Sequence, residues 1–458
     1  MTESDPDPHQ STAAIILATG RTGRMRSQRA TVLHPLAGRP MAVYPTHTAH
    51  TIGCSPLVIA CSANTAQLQD YVGFATACHY QDDGSWLETM VAAVPETVRA
   101  VLVVAGTMPL LSQKTMSRLI QCQHETFCPL VLLTSHHAGS PHCASIVRDS
   151  AGRIERILTG NDTTPAGSPV ESFSTGVMCF SREWLWEHRD AAPGQEECLV
   201  SLAALALAEA AKIGTVRHAG ADVELLQVED RADLALAEST LRERVRGRAL
   251  QGGVTLVDPA TVWIDDTVTF GRDVTLWPNC YLYGNTAVGD NCTIGPGTRL
   301  HDTRLAPNVT VMESVLEGAE VGENVRIGPF AHLRPGTVVA DDVEIGNYAE
   351  LKNTQVNSGA KIHHVGYLGD TVVGNDVNVG AGSITCNFDG ADKHKTEIGD
   401  GAFIGSGTLL VAPVRVGNNA LTGAGSVVTR DVPAQAKAYG VPARVRGMRG
   451  SPAESEQD

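Results

Sequence analysis

Residues 288–300 read VGDNCTIGPGTRL: Val288, Ile294 and Leu300 stand six apart, and Gly follows the first two directly. The rhythm extends backwards through Leu282, Leu276, Phe270 and Ile264. After one five-residue step it resumes at Leu305 and Val311, and later runs through Val321, Ile327, Leu333, Val339, Ile345 and Leu351. A period of six suits neither an α-helix nor a half-buried strand of an ordinary sheet. It suits a parallel β-helix, in which each short strand sends one aliphatic side chain inward and Gly, Asn or Asp turns the corner.

Composition sets the outer limits. The chain has 458 residues, a formal net charge of -15 and 11 Cys. An acidic balance argues against an electrostatic grip on nucleic acid or an anionic membrane. The Cys lack C-x-x-C spacing, and the opening MTESDPDPHQ is acidic rather than signal-like, so reduced thiols in a cytoplasmic protein are expected. There is no apolar run of about 18 residues to cross a membrane.

Apolar runs at 13–17, 57–60, 101–106 and 130–134 are separated by segments long enough for helices. This is the pattern of a mostly parallel sheet with covering helices, expected over 1–228. Residues 229–250 are expected to form a connecting helix with Leu234, Leu241 and Val245 on one face. The β-helix is expected over 251–447 and a disordered tail over 448–458. The segment ITCNFDGADKHK (384–395) breaks the six-residue rhythm, so it should leave the coil as a loop.

Polar and ionic residues crowd a few neighbouring coils: Arg334, Glu350, Lys352, His363, His364, Tyr367 and Asn378. Arg334 and Lys352 are three six-residue steps apart. If three steps make one turn, the two cations stack on one side and suit a phosphate. Glu350 is near enough in coil geometry to orient an imidazole, and an oriented His is a suitable general base near neutral pH. A rigid spacer or trimeric scaffold is the plain alternative.

The stretches GPFAHLRPG (328–336), GNYAELKNTQV (346–356), KIHHVGYLGD (361–370), GNDVNVGAGSITCNFDGADKHKT (374–396) and GSGTLLVAPVRVG (405–417) resemble a known family. Its members are bifunctional, with glucosamine-1-phosphate N-acetyltransferase activity in one half and N-acetylglucosamine-1-phosphate uridylyltransferase activity in the other. The resemblance implies a Rossmann-like nucleotidyltransferase α/β domain followed by a left-handed parallel β-helix of hexapeptide repeats. It implies His364 as general base, oriented by Glu350. It implies Arg334, Lys352, Tyr367 and Asn378 around the sugar phosphate. Ala381, Asn387, Phe388, Lys393, Ser406 and Ala424 match positions that contact acetyl-CoA, and a homotrimer with sites between protomers is implied. At the position of a frequent C-terminal Arg stands Gly440.

In the first half, Leu17, Ala18, Thr19, Gly20 and Arg24, followed by VLHPLAGRPM (32–41), resemble the nucleotidyltransferase signature for UTP. Gln81 and Glu155 also match nucleotide-binding positions. Several positions depart from the pattern. Thr31 replaces a Lys, Thr107 a metal-binding Asp and Ser174 an Asn, and Glu229 or Asp230 stands at a second metal position, in place of an Asn. Uridylyl transfer in this family uses Mg2+, and lost cations and carboxylates weaken support for the triphosphate. Two enzymatic readings stay open. Either both halves work, or acetyl transfer works alone beside a structural or weakly nucleotide-binding domain.

Overall fold

The computed structural model describes residues 11–18, 23–79, 86–135, 143–158, 170–191 and 198–449. The chain divides into two compact units, Met1–Leu241 and Arg242–Asp458.

The first unit is built on a mixed sheet. Its strand order is Ile213–Arg217, Leu130–Ser135, Val170–Ser181, Ala100–Ala105, Thr12–Ala18, Leu57–Cys61 and Thr76–His79. Val170–Ser181 runs antiparallel to both its neighbours, and the others pair in parallel. The continuous apolar runs exist because both faces are covered. Ala14 and Ile16 pack into one core and Ala13 and Ile15 into another. This puts Leu17 and Ala18 at the end of a central strand, the usual place for a ligand in such sheets.

The expected connecting helix is Arg231–Gln251, and the division between the units falls inside it rather than beside it. Ala237 and Leu241 join a core with Met25, Leu36 and Val228. Val245 joins the core of the coil. Its charges do not all face water. Arg242 is 7% exposed, its Nη1 donates to the Ile264 carbonyl at 3.0 Å, and its guanidinium lies over the Trp263 ring.

The second unit is the left-handed β-helix of hexapeptide repeats. Its strands stack into three parallel sheets. Leu276 lies under Ile294 and Leu282 under Leu300, so three six-residue steps make one turn. The five-residue step is absorbed between Val288 and Leu305 without losing register. The repeat aliphatics form one continuous core. Asn279, Asn291, Asn308, Asn324 and Asp342 take the left-handed backbone at the corners, which short polar side chains tolerate better than other non-glycine residues. A hairpin of Ala436–Gly440 and Ala443–Met448 closes the coil. Met448 and Arg449, expected in the tail, are held: the Arg449 N–H donates to the Gln435 carbonyl and Arg449 Nη1 to the Gly401 carbonyl at 2.8 Å. The tail from residue 450 onward lies outside the described residues.

Candidate active site

The strands Ala349–Lys352 and Gly366–Gly369 belong to one sheet of the coil, with Lys352 opposite Gly369. One edge of this sheet collects cations. Leu333 sits over Leu351 and the Arg334 N–H donates to the Leu351 carbonyl at 2.8 Å, so Arg334 and Lys352 stack one coil apart. The Asp370 N–H donates to the Lys352 carbonyl at 3.0 Å. The next coil at this edge supplies Asn387, where the 384–395 segment leaves the prism.

That segment folds on itself. Phe388 and Lys393 form an antiparallel bridge. Asp389 accepts from the N–H groups of Ala391 and Asp392 and bonds the His394 ring. These bonds hold the Asp389 carboxyl well below the usual range. The fold of the segment returns Lys393 to the cation edge. Its direct contact and its charge hold the Lys352 amine below the ordinary lysine value, and Arg334 adds to the effect. Lys393, expected with the coenzyme, therefore stands beside the cations as well.

The opposite edge of the same sheet carries the imidazoles. His364 is exposed there, between the strands Lys361–Ile362 and Gly366–Gly369. The next coils place Ala381, Ser406 and Ala424 on this edge in a stack. The Gly382 N–H donates to the Val365 carbonyl, that of Gly407 to Ala381, and that of Gly425 to Ser406, all at 2.7 to 2.8 Å. Phe330, Tyr348 and Val365 lie on this edge too and are 48%, 57% and 56% exposed.

One expectation changes within a protomer: Glu350 bonds Arg334 rather than His364, its Oε1 accepting from Arg334 Nη1 at 2.9 Å. The reason is register, since Glu350 lies beside the strand residues nearest the guanidinium. At the His364 edge the neighbouring imidazole, His363, is met by Glu344, 3.0 Å from its Nε2 and also paired with Arg326. Burial pushes the Glu344 carboxyl up, but His363 and Arg326 outweigh it and leave it below its usual value. Within one protomer His364 and the cations stand at opposite edges of the sheet. A four-residue strand separates the two edges, roughly 13 Å at about 3.3 Å per residue. Tyr367 lies between them, and Asn378 lies on the neighbouring sheet. Sequence reasoning missed Asp370 and Glu344. Asp370 ends the YLGD stretch, and its corner position is the signal that was available.

In the first unit, Arg24 Nη1 pairs with Glu229 Oε2 at 2.7 Å. Thr107 is adjacent, since its carbonyl accepts from the Val228 N–H at 2.9 Å. Thr31 and Ser174 are buried. Glu155 is exposed on a strand paired outside the main strand order. Thr19, Gly20 and Gln81 lie outside the described residues.

Comparisons with known proteins cover both units. Residues 14–164 match the MobA-like NTP transferase domain, 262–356 the GMPPB C-terminal domain, and 395–430 the bacterial transferase hexapeptide family with six repeats. The Bifunctional protein GlmU of Trichlorobacter lovleyi is 39% identical over 432 residues, 92% of this chain and 94% of that protein. Those of Heliobacterium modesticaldum and Acinetobacter baumannii (strain AYE) are 36% and 37% identical over 93% and 94% of this chain, and 94% and 96% of their own lengths.

The chain belongs to the bifunctional GlmU family.

Resemblance to this family implies Mg2+ in the first unit, and the residues present can be tested against it. Magnesium in such sites takes one or two carboxylates together with substrate phosphates. At the expected Asp, Thr107 offers a hydroxyl. At the second position, the Glu229 carboxylate is occupied by a guanidinium. Among the described residues no group of three or more His, Cys, Asp or Glu is placed to hold a metal. Glu229 as found therefore does not fit a metal ligand in this GlmU relative. The physical reason is the Arg24 charge beside it, which a cation would have to displace.

Proposed function

We propose that this GlmU-family chain acetylates the amine of glucosamine 1-phosphate from acetyl-CoA in its β-helix. In its first unit it transfers a uridylyl group from UTP to N-acetylglucosamine 1-phosphate, giving UDP-N-acetylglucosamine. The observation that carries the reading is the stack of Arg334 over Lys352 with Lys393 beside them, a set of donors suited to a sugar phosphate.

Arg334, Lys352 and Lys393 bind the phosphate, Tyr367 lies along the sugar, and Asn378 contributes from the adjoining sheet. His364 takes a proton from the substrate ammonium. The freed amine attacks the thioester carbonyl and a C–N bond forms; as the C–S bond breaks, the second amine proton passes to the leaving sulfur and coenzyme A departs as the thiol. Backbone N–H groups at the coil corners stabilise the tetrahedral oxyanion. The coenzyme lies along the Ala381, Ser406 and Ala424 stack, with Asn387 and Phe388 reaching it from a protruding hairpin.

Because the imidazole and the cations occupy opposite edges of one sheet, a complete site needs the His364 edge of one copy against the cation edge of another. A closed ring of identical copies supplies that heterologous contact, and the exposed Phe330, Tyr348 and Val365 suit burial in it. We therefore assign a homotrimer. A cytoplasmic location follows from the substrates, and Cys54, Cys61, Cys78, Cys122, Cys128, Cys179, Cys280, Cys292 and Cys386 are free thiols. Among the described residues no helix is long and apolar enough to cross a membrane.

The test is a pair of assays. Glucosamine 1-phosphate with acetyl-CoA should release thiol. N-acetylglucosamine 1-phosphate with UTP and magnesium should release pyrophosphate, more slowly because Thr31 and Thr107 withdraw charge from the triphosphate site. Failure to release thiol contradicts the reading of the coil.

A further inference from the structure

The YLGD stretch (367–370) ends in a residue without an assigned role. Asp370 sits at a coil corner with φ at 50°. Its Oδ1 accepts from Asn353 Nδ2 at 2.6 Å and its Oδ2 from Asn387 Nδ2 at 2.5 Å. Its carbonyl accepts from the Thr396 N–H at 3.2 Å. Asn387 begins the protruding hairpin and Thr396 follows its last residue, so both roots of the hairpin are fastened to Asp370.

The hairpin is stiff in itself. The His394 N–H donates to the Asn387 carbonyl at 2.7 Å, and the Asp389 bonds close its tip. A unit braced internally and tied at its base turns about the tie. Asn387 is 7% exposed, so losing its partner would leave a buried amide unsatisfied. Gly369 completes the fit: a Cβ there would overlap the Tyr367 hydroxyl and lie 2.7 Å from Asn387 Nδ2.

We propose that Asp370 is a positioning residue for acetyl transfer, holding the hairpin that carries Asn387, Phe388 and Lys393 against the Lys352 edge. The proposal rests on the reading that this hairpin meets the coenzyme. The carboxylate is poised for the task. Burial pushes the Asp370 carboxyl up, but hydrogen bonds from Asn353 and Asn387 and the charges of Lys393 and Lys352 outweigh it and keep it ionised.

The experiment uses the full chain and two readouts. Tryptic cleavage after Lys393 or Lys395 reports hairpin attachment without any need for activity, and KM values report its use. Asp370→Asn should speed that cleavage about tenfold and raise KM for acetyl-CoA about tenfold, and KM for glucosamine 1-phosphate should rise as well because Lys393 rides on the same hairpin. Asn387→Asp, which sets two carboxylates face to face, should do the same. The double exchange restores an amide–carboxylate pair with the roles reversed, and should return the cleavage rate to within about threefold of the parent. Wild-type cleavage rates in Asp370→Asn, an unchanged KM for acetyl-CoA in that variant, or a double variant cleaved as fast as the singles would overturn the proposal. A parent chain that releases no thiol would instead refute acetyl transfer, while the cleavage rates would still decide whether Asp370 holds the hairpin.

Discussion

Arg334 Nη1 donates to Glu350 Oε1 at 2.9 Å, and both side chains remain partly open, 37% and 40% exposed. Within the protomer Glu350 thus fixes the Arg334 guanidinium. An ion pair this exposed contributes about 0.2–1 kcal/mol. Glu350→Ala should therefore raise KM for glucosamine 1-phosphate by roughly twofold to fivefold and leave the acid limb of the kcat profile in place. Steady-state kinetics from pH 5.5 to 9 check this. A shift of the acid limb would return Glu350 to the imidazole.

The two histidines should separate cleanly. His364→Ala removes the general base and should lower kcat by about 10²–10⁴. His363, bonded to Glu344, serves the wall of the coil, so His363→Ala should keep kcat within about tenfold of the parent. Thiol release measured at saturating substrates tests both. Equal losses would make the pair a single catalytic unit.

Lys352 gives a pH signature. Its amine titrates below the ordinary lysine value because of Lys393. Phosphate binding favours the protonated form. KM for glucosamine 1-phosphate should therefore begin to rise, as pH increases, earlier than an isolated lysine would require. Lys393→Met removes the opposing charge and should move the break upward. A break that stays in place would deny the contact.

In the first unit the lost carboxylate should be restorable. Thr107→Asp restores one carboxylate at the expected metal position without calling on Glu229, and should raise magnesium-dependent pyrophosphate release at least about tenfold. A variant no faster than the parent at any magnesium concentration would show that Thr107 is not what limits this site.

How much of this was legible in the chain depended on what each signal measured. The six-residue period fixed the coil because one inward aliphatic per step is a packing requirement, and Leu333 over Leu351 obeys it. The same period gave the stacking of Arg334 on Lys352. It did not give the lateral position of a side chain within a coil. Within a protomer Glu350 bonds Arg334, and the period did not show that His364 and the cations stand at opposite edges of one sheet. The insertion was visible as broken rhythm, but the bonds from its two roots to Asp370 depend on three-dimensional contact. Likewise the helix at 231–251 was clear from its pattern, whereas the burial of Arg242 against Trp263 was not, since a charge in a sequence reads as solvent-facing.

The central claim is an acetyltransferase site shared between copies, with the base from one edge and the cations from another. Co-expressing His364→Ala and Arg334→Ala chains, each inactive alone, tests it most directly. Random mixing in a closed trimer should restore about a quarter of parental thiol release, because one in four edge pairs then joins an intact His364 to an intact Arg334. Mixed trimers that stay as inactive as either parent variant would place both residues in one protomer's site and contradict the account.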